Sequence, residues 1–185
     1  RPEKASPLAR LGVGIADGDV IESVDGTPAL GGADCGALLR NKAGLQVLLR
    51  VKPAKGGPSR DVVVSPMTVA EATDLRYHEW EYTRRLEVER LSGGRIGYVH
   101  LRAMGSGDYA DFARGYYPAF NREGLIVDVR HNRGGNIDSW VLSRLLRKPW
   151  FYWSDRVGSA PAWNMQFAFR GHMATLCNER TSSDG

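Results

Sequence analysis

The sequence predicts a mixed α+β and α/β chain, in which a small β module precedes a helical connector and a layer of helices on a sheet. Short apolar runs, broken by Gly, Pro and an Asp-Gly turn, occupy residues 1–67. No Gly or Pro occurs in residues 68–91, and a Gly pair follows soon after. Strand-like and helix-like stretches then alternate to the end, as in α/β layers. We therefore expect three segments with the bounds 1–67, 68–93 and 94–185.

The first segment is predicted to hold three strands and one short helix. An Asp-Gly pair follows the first apolar run, as is typical of a tight hairpin turn. The helix is expected within Gly32–Gly44, with Gly44 as its C-cap. The strands are expected within Gly18–Gly26, Leu45–Pro53 and Ser59–Met67.

The other two segments are predicted from their periodicity. Thr68–Leu91 is expected to be one charged helix, since Glu81 and Arg85 stand four residues apart, as helix-surface pairs do. In the third segment, two continuous apolar runs are expected to be strands buried on both faces. The predicted strands are Arg95–Leu101, Gly124–Arg130 and His172–Glu179. The predicted helices are Gly107–Phe120, with Asp108 as a cap, and Ile137–Lys148.

Composition argues against several classes of partner and cofactor. The 25 Lys and Arg residues are scattered and the net charge is +4, so we expect no nucleic-acid partner. The four histidines form no metal-ligand spacing, and no dinucleotide fingerprint follows a strand, so we expect neither metal nor cofactor. No run is long enough to span a membrane, and the first ten residues lack a signal-peptide core. With Cys35 and Cys177 expected as free thiols, we predict a cytoplasmic protein.

Two loops that follow apolar strands are candidates for chemistry. "HNRGGN" (residues 131–136) has consecutive glycines before a helix, so its backbone amides could stabilise an oxyanion. The alternative is a tight strand-to-helix turn that only needs glycine. "TSSDG" (residues 181–185) could expose a serine nucleophile, although a serine needs a nearby base. The alternative there is an ordinary polar turn.

Longer stretches resemble a known family. "SPLARLGVGIADGDVIESVDGTPA" resembles the middle of a PDZ domain, without its first strand and peptide-carboxylate loop. "GGRIGYVHLRAM", "GLIVDVRHNRGG" and "NERTSSDG" resemble the catalytic core of tricorn-type peptidases, relatives of the tail-specific serine peptidases. The resemblance runs from Ser6 onward and implies a crotonase-like αββ core, here incomplete, and a partial PDZ module that guides peptides towards the site.

The resemblance also implies roles for individual residues. Ser183 matches the nucleophile, with Ser182 the weaker candidate, and the amides of Gly135 and Asp184 match the oxyanion hole. The family's general-base histidine, its glutamate and the lysine of tail-specific relatives have no counterpart here, so we expect this stretch to be inactive alone. Trp153 matches the position of a specificity carboxylate, with Asp155 two residues on; both are candidate substrate-pocket residues. The alternative is that this aromatic segment packs against another part of the domain.

The sequence thus leads to one favoured function and two alternatives. The favoured function is a cytoplasmic serine peptidase that cleaves oligopeptides and forms a homo-oligomer, with its general base outside these residues. The first alternative is a non-catalytic PDZ-containing protein that binds peptides or acts as a scaffold. The second is a tail-specific enzyme with a Ser/Lys pair.

Overall fold

The computed structural model describes residues 6–31 and 34–185, which divide into two compact units that meet between Trp80 and Glu81. The first five residues of the predicted β module, and residues 32 and 33 at the start of its predicted helix, lie outside the described part. The division falls inside a long helix.

The first unit contains one antiparallel sheet with the strand order β2-β1-β3-β4. β1 (Val20–Val24) and β2 (Thr27–Pro28) form a hairpin, and β3 (Val47–Lys52) pairs with both β1 and β4 (Arg60–Val64). Asp25 and Gly26 both have positive φ, 47° and 80°, as a two-residue hairpin turn requires. The three predicted strands are confirmed. Buried strand residues form the core: Val24, Val47, Leu49, Val51, Val62 and Val64.

The helix of the first unit is shorter than predicted. α1 spans Cys35–Leu38, and the side chain of Asp34 caps it by accepting the Gly36 amide at 3.1 Å. The chain adopts φ 59° at Asn41, which ends any helical path before Gly44. Gly44 is therefore not the C-cap; its N–H instead donates to the Pro66 carbonyl at 2.8 Å.

The predicted connector helix is confirmed as α2 (Val69–Ser92). A capping box begins it: the Glu71 carboxylate accepts the Thr68 amide at 2.8 Å, and Thr68 Oγ1 accepts the Glu71 amide at 3.2 Å. Gly93 and Gly94, both with positive φ, follow its end. Among the described residues, no helix combines the length and apolar character needed to cross a membrane.

The second unit contains a parallel sheet with helices after its first two strands. In chain order its elements are β5 (Ile96–His100), α3 (Ser106–Tyr116), β6 (Gly124–Asp128), α4 (Asp138–Leu145), the hairpin strands β7 (Tyr152–Trp153) and β8 (Ala162–Trp163), and β9 (His172–Leu176). β6 lies between β5 and β9. The predicted alternation of strand and helix is therefore confirmed, and all three strands end at the same edge of the sheet.

Burial follows from the position of each strand in the sheet. β6 is buried at four of its five residues, as predicted for a central strand. β9 is exposed at all five, so the prediction that His172–Glu179 is buried is wrong. β9 is an edge strand that pairs only with β6 in the described chain, and the core lies beside β5 and β6. The largest fully buried apolar side chains of this core are Leu101, Phe112, Tyr116 and Leu125.

Two glycines let α3 and the segment after it approach β5 closely. A methyl group placed on Gly115 would lie 2.9 Å from Val99 Cγ1, and one on Gly97 would lie 2.5 Å from Ala119 Cβ. α3 ends at Tyr116, two residues before Pro118, rather than at the predicted Phe120. The N-cap residue is Gly105 rather than the predicted Asp108, which is the third residue of the helix and stabilises its start by accepting the Gly105 amide at 3.0 Å.

Replacing Gly97 by alanine should destabilise the chain by about 1–3 kcal/mol, because the added methyl forces Ala119 away from β5. Gly107→Ala is the matched control, since Gly107 lies in α3 and has no neighbour within 4 Å of an added methyl. Alanine favours helix, so this control should gain up to about 1 kcal/mol. Urea unfolding followed by circular dichroism measures both. Equal destabilisation of the two variants would contradict the close packing of β5 on Ala119.

Candidate functional site

Three segments of the second unit meet at the carboxyl edge of its sheet. β5 leads into residues 101–104, β6 into residues 129–137, and β9 into residues 177–185. Met104 pairs with Gly135 in an isolated parallel bridge, which extends the β5–β6 pairing beyond the strands. This edge is where ligands bind in open parallel sheets, and both loops singled out from the sequence lie on it.

A buried charged group lies at the end of β6. The Asp128 carboxylate is fully buried and accepts hydrogen bonds from Tyr98 Oη at 2.6 Å and from Arg130 Nη2 at 2.6 Å. Burial by itself raises the pKa of Asp128, but the hydrogen bonds from Arg130 and Tyr98 outweigh it and hold the pKa below its usual value. Asp128 is therefore an ionised carboxylate that anchors the chain where β6 leaves the sheet.

His100 lies next to this carboxylate and is almost fully buried. Its Nδ1 lies 2.8 Å from the carbonyl oxygen of Asp128, and since a carbonyl only accepts, Nδ1 carries the hydrogen. Burial lowers the pKa of His100 by more than the neighbouring Asp128 raises it. His100 is thus a neutral structural residue.

The glycine loop, residues 133–137, is held by hydrogen bonds that use all but one of the amides of residues 134–137. Gly134 N–H donates to Asn132 Oδ1 at 2.7 Å. Asn136 N–H and Ile137 N–H both donate to the Met104 carbonyl, at 2.8 and 3.2 Å. Among the hydrogen bonds of the described residues, none uses the Gly135 amide. Of the amides of residues 134–137 that could stabilise an oxyanion, only that of Gly135 is therefore without a partner in the described part of the chain.

Gly134 and Gly135 are needed because the backbone of the glycine loop packs closely on neighbouring segments of the chain. Gly134 and Gly135 have φ of 76° and 151°, values that residues with a side chain rarely adopt. A methyl group on Gly135 would overlap the Met104 carbonyl and lie 2.9 Å from Met104 Cα. No other residue type fits the loop in this conformation.

The serine turn, residues 181–185, is fastened to the end of β6 by two polar side chains. Thr181 Oγ1 donates to the Val129 carbonyl at 2.8 Å, and Asn178 Oδ1 accepts the His131 amide at 3.0 Å. Gly185 N–H then donates to the Ser182 carbonyl at 3.0 Å and closes the turn. Ser183 occupies the turn with φ 53°, an uncommon conformation for serine.

The two loops are in direct contact. A methyl group on Gly134 would overlap Ser183 Cβ and lie 2.9 Å from Ser183 Oγ. The Ser182 amide donates to the Asn132 carbonyl at 3.0 Å. The Ser183 hydroxyl and the Asp184 amide take part in no hydrogen bond with another described residue, and both residues are exposed. The structure therefore brings together a serine and the backbone of the glycine loop.

Trp153 and Asp155, the candidate pocket residues, are not part of this contact. Trp153 lies in β7, is 65% exposed and packs edge-to-face on Phe151 at a ring distance of 4.9 Å. Asp155 lies in the exposed loop after β7. No hydrogen bond, ion pair or ring contact of the described chain links either residue to the glycine loop or the serine turn. Within the same described residues, no three His, Cys, Asp or Glu side chains are grouped to hold a metal ion.

Comparison with known proteins matches both units of the chain. The profile described as "Tricorn protease PDZ domain" matches residues 1–69, and that described as "Peptidase family S41" matches residues 95–185. Tricorn protease homolog 1 of Streptomyces coelicolor is 40% identical over 184 residues, 100% of this chain. The tricorn protease of Thermoplasma acidophilum is 31% identical over 180 residues, 97% of this chain. A crystal structure of the tricorn protease, 31% identical, matches 97% of this chain with a TM-score of 0.78.

This chain belongs to the tricorn protease family. It covers 17% of the Streptomyces protein, 16% of the Thermoplasma protein and 17% of the chain in the crystal structure. The family resemblance drawn from the sequence is thus confirmed, and the mixed α/β architecture matches the tricorn protease structure.

Two features of this tricorn-family site were missed from the sequence. The carboxamide of Asn132 joins the end of β5 to the glycine loop, and the Asp128–Arg130 pair anchors the end of β6. A signal for the second was present, because a charged pair two residues apart closes the apolar run "LIVDVR". A carboxylate in such a run needs a partner nearby.

Stability of the tricorn-family chain should fall as the pH is lowered from 7 to 5. His100 has a pKa below its usual value of 6.5 in the folded state, so the unfolded chain binds its proton first and stability is lost on acidification. Asp128, with its lowered pKa, adds a further loss at lower pH. His100→Asn keeps a donor towards the Asp128 carbonyl but cannot titrate.

Urea unfolding at several pH values measures this effect. The variant should reduce the proton uptake on unfolding between pH 5 and 7 by up to one proton, the capacity of one imidazole. Identical pH dependence in the variant and the unmodified chain would show that His100 is not responsible.

Proposed function

We propose that these residues carry the nucleophile and the oxyanion hole of a serine peptidase acting on peptides. The observation that carries the proposal is the contact between Ser183 and Gly134, beside two amides that have no partner among the described residues. Those amides belong to Gly135 and Asp184. An exposed serine hydroxyl next to unpaired, rigidly held N–H groups is the arrangement that acyl transfer needs.

In this mechanism Ser183 Oγ attacks the scissile carbonyl carbon of a bound peptide. The amides of Gly135 and Asp184 donate to the carbonyl oxygen as it becomes an oxyanion. Collapse of the tetrahedral intermediate expels the amine and leaves an acyl-enzyme, which water then hydrolyses. The left-handed conformation of Ser183 is consistent with this role, since strained backbone is concentrated at functional sites.

A serine hydroxyl needs a base to accept its proton, because it is hardly ionised at neutral pH. Among the described residues, Ser183 Oγ makes no hydrogen bond to a histidine, lysine or carboxylate. We therefore place the general base outside these residues, and we expect the 185-residue stretch to be inactive by itself.

The wider organisation is proposed on the same basis. Residues 1–67 would be a PDZ-like module, 68–93 a connector and 94–185 the first part of a crotonase-like core. Trp153 and Asp155 are proposed to line a substrate pocket, and the protein is proposed to be a cytoplasmic homo-oligomer. The family match and the similarity to the tricorn protease structure support this organisation.

Replacing Ser183 by alanine should lower kcat for peptide hydrolysis by about 10⁴-fold or more in the complete protein, because the nucleophile is lost. Ser182→Ala is the matched control, since it keeps the 3.0 Å bond from the Ser182 amide to the Asn132 carbonyl and loses only the longer, 3.4 Å bond from the hydroxyl. A fluorogenic peptide assay measures kcat. Intact mass after treatment with a serine-reactive phosphonate should show one adduct, absent from Ser183→Ala.

Binding of a substrate peptide to Ser183→Ala, measured by fluorescence anisotropy, separates the peptidase from a peptide-binding scaffold. We expect binding to be retained while hydrolysis is lost. A complete protein that binds peptides but neither hydrolyses them nor forms an adduct would be the scaffold. Full activity in Ser183→Ala would show that the nucleophile lies elsewhere.

A further inference from the structure

We propose that Asn132 is a positioning residue of this site, whose buried carboxamide sets the geometry of the oxyanion hole. The inference rests on the proposed function, because it assigns a role relative to Ser183 and the Gly135 amide. It is carried by the position of one fully buried side chain between three chain segments. These are the end of β5, the glycine loop and the serine turn.

Both polar atoms of the Asn132 side chain have well-defined partners. Nδ2 donates to the Leu101 carbonyl at 2.7 Å, and Oδ1 accepts the Gly134 amide at 2.7 Å. The carbonyl only accepts and the amide only donates, so a single orientation of the carboxamide satisfies both. The residue is 0% exposed, so water cannot replace either bond.

Asn132 also contacts the serine turn directly. Its carbonyl accepts the Ser182 amide at 3.0 Å. A methyl group on Gly185 would lie 2.8 Å from Asn132 Oδ1, so the backbone at the end of the turn rests on the carboxamide. Asn132 therefore contacts the serine turn on both sides of Ser183, at Ser182 and at Gly185.

These bonds decide which amide remains available. Asn132 holds the peptide unit that contains the Gly134 N–H, and the Met104 amide holds the next one by donating to the Gly134 carbonyl at 2.8 Å. In a trans peptide the C=O and the following N–H point in opposite directions. The Gly135 N–H consequently points away from Met104. Without the carboxamide, the Gly134 N–H loses its partner and the peptide units can rotate.

The test compares Asn132→Ala and Asn132→Asp with Ser92→Ala in the complete protein. Ser92 is also buried, and its Oγ accepts the Ile96 amide at 3.2 Å, at the opposite end of β5 from the site. Ser92→Ala therefore removes a partly buried hydrogen bond between a side chain and the backbone without touching either loop. The probes are a fluorogenic peptide that the unmodified protein cleaves, and an aldehyde and an alcohol of the same peptide sequence. Only the aldehyde forms a tetrahedral adduct with the serine.

Asn132→Ala should lower kcat by about 100-fold, the usual effect of losing one oxyanion donor. The inhibition constant of the aldehyde should rise by a similar factor. KM and the inhibition constant of the alcohol should change by no more than about twofold, because neither depends on the oxyanion hole. Ser92→Ala should lower the melting temperature and leave the ratio of the two inhibition constants unchanged.

Asn132→Asp provides a rescue that a purely structural role would not show. A protonated carboxyl can donate to the Leu101 carbonyl and accept from the Gly134 amide, whereas the ionised form faces that carbonyl with a negative charge. The kcat of this variant, relative to the unmodified protein, should therefore rise as the pH falls. This measurement also decides the question if Asn132→Ala does not fold.

The inference is overturned if the ratio of aldehyde to alcohol inhibition stays at its unmodified value in folded Asn132→Ala. A kcat ratio of Asn132→Asp that is independent of pH overturns it as well. Failure of the proposed function looks different, because Ser183→Ala would then keep its activity. An inactive Ser183→Ala together with a fully active Asn132→Ala would refute the positioning role alone.

Discussion

The candidate site depends on the close approach of two loops with no side chain between them. Gly134 lies against Ser183, and Gly135 lies against the Met104 carbonyl, each with a φ that favours glycine. A β-carbon at either position would separate the glycine loop from the serine turn or from the end of β5. The glycine pair is therefore required first by packing, and the chemical role that we propose for it rests on the amide that this packing leaves unpaired.

The Asp128 carboxylate at the end of β6 also supports the contact between the glycine loop and the serine turn. Burying the Asp128 carboxylate is costly, and Arg130 and Tyr98 offset that cost with short hydrogen bonds. An ion pair whose carboxylate is buried contributes little net stability compared with apolar residues, but its hydrogen bonds favour one geometry. These hydrogen bonds fix the direction in which the chain leaves β6, and so they also fix the start of the segment that contains Asn132.

The sequence predicted the elements whose signal is local. Apolar runs located β5 and β6, and the absence of Gly and Pro located α2. Burial of β9 was predicted wrongly, because an apolar run does not reveal whether its strand is central or at an edge. The helix before Gly44 was predicted too long, because the prediction ended it at the glycine and not before Asn41, although Asn also adopts the left-handed conformation.

For the candidate site too, the sequence predicted the features with a local signal and missed those that depend on distant residues. Both loops were singled out from glycines and serines, which are local, and the structure brings these loops into contact. The role proposed for Asn132 was not foreseen, because its partner Leu101 lies 31 residues away in the chain. A buried polar side chain at a loop corner becomes informative only when the fold shows what it satisfies.

The hydrogen bonds of the two loops also explain how the Gly135 and Asp184 amides can be held in place without leaving a buried N–H group unpaired. Amides with buried partners hold the glycine loop, while the Gly135 and Asp184 amides lie at exposed residues, where water can satisfy them in the absence of a ligand. Their direction is set by neighbouring peptide units rather than by bonds of their own. A developing oxyanion would then exchange with water at donors already in place, with no rearrangement of the loop during the reaction.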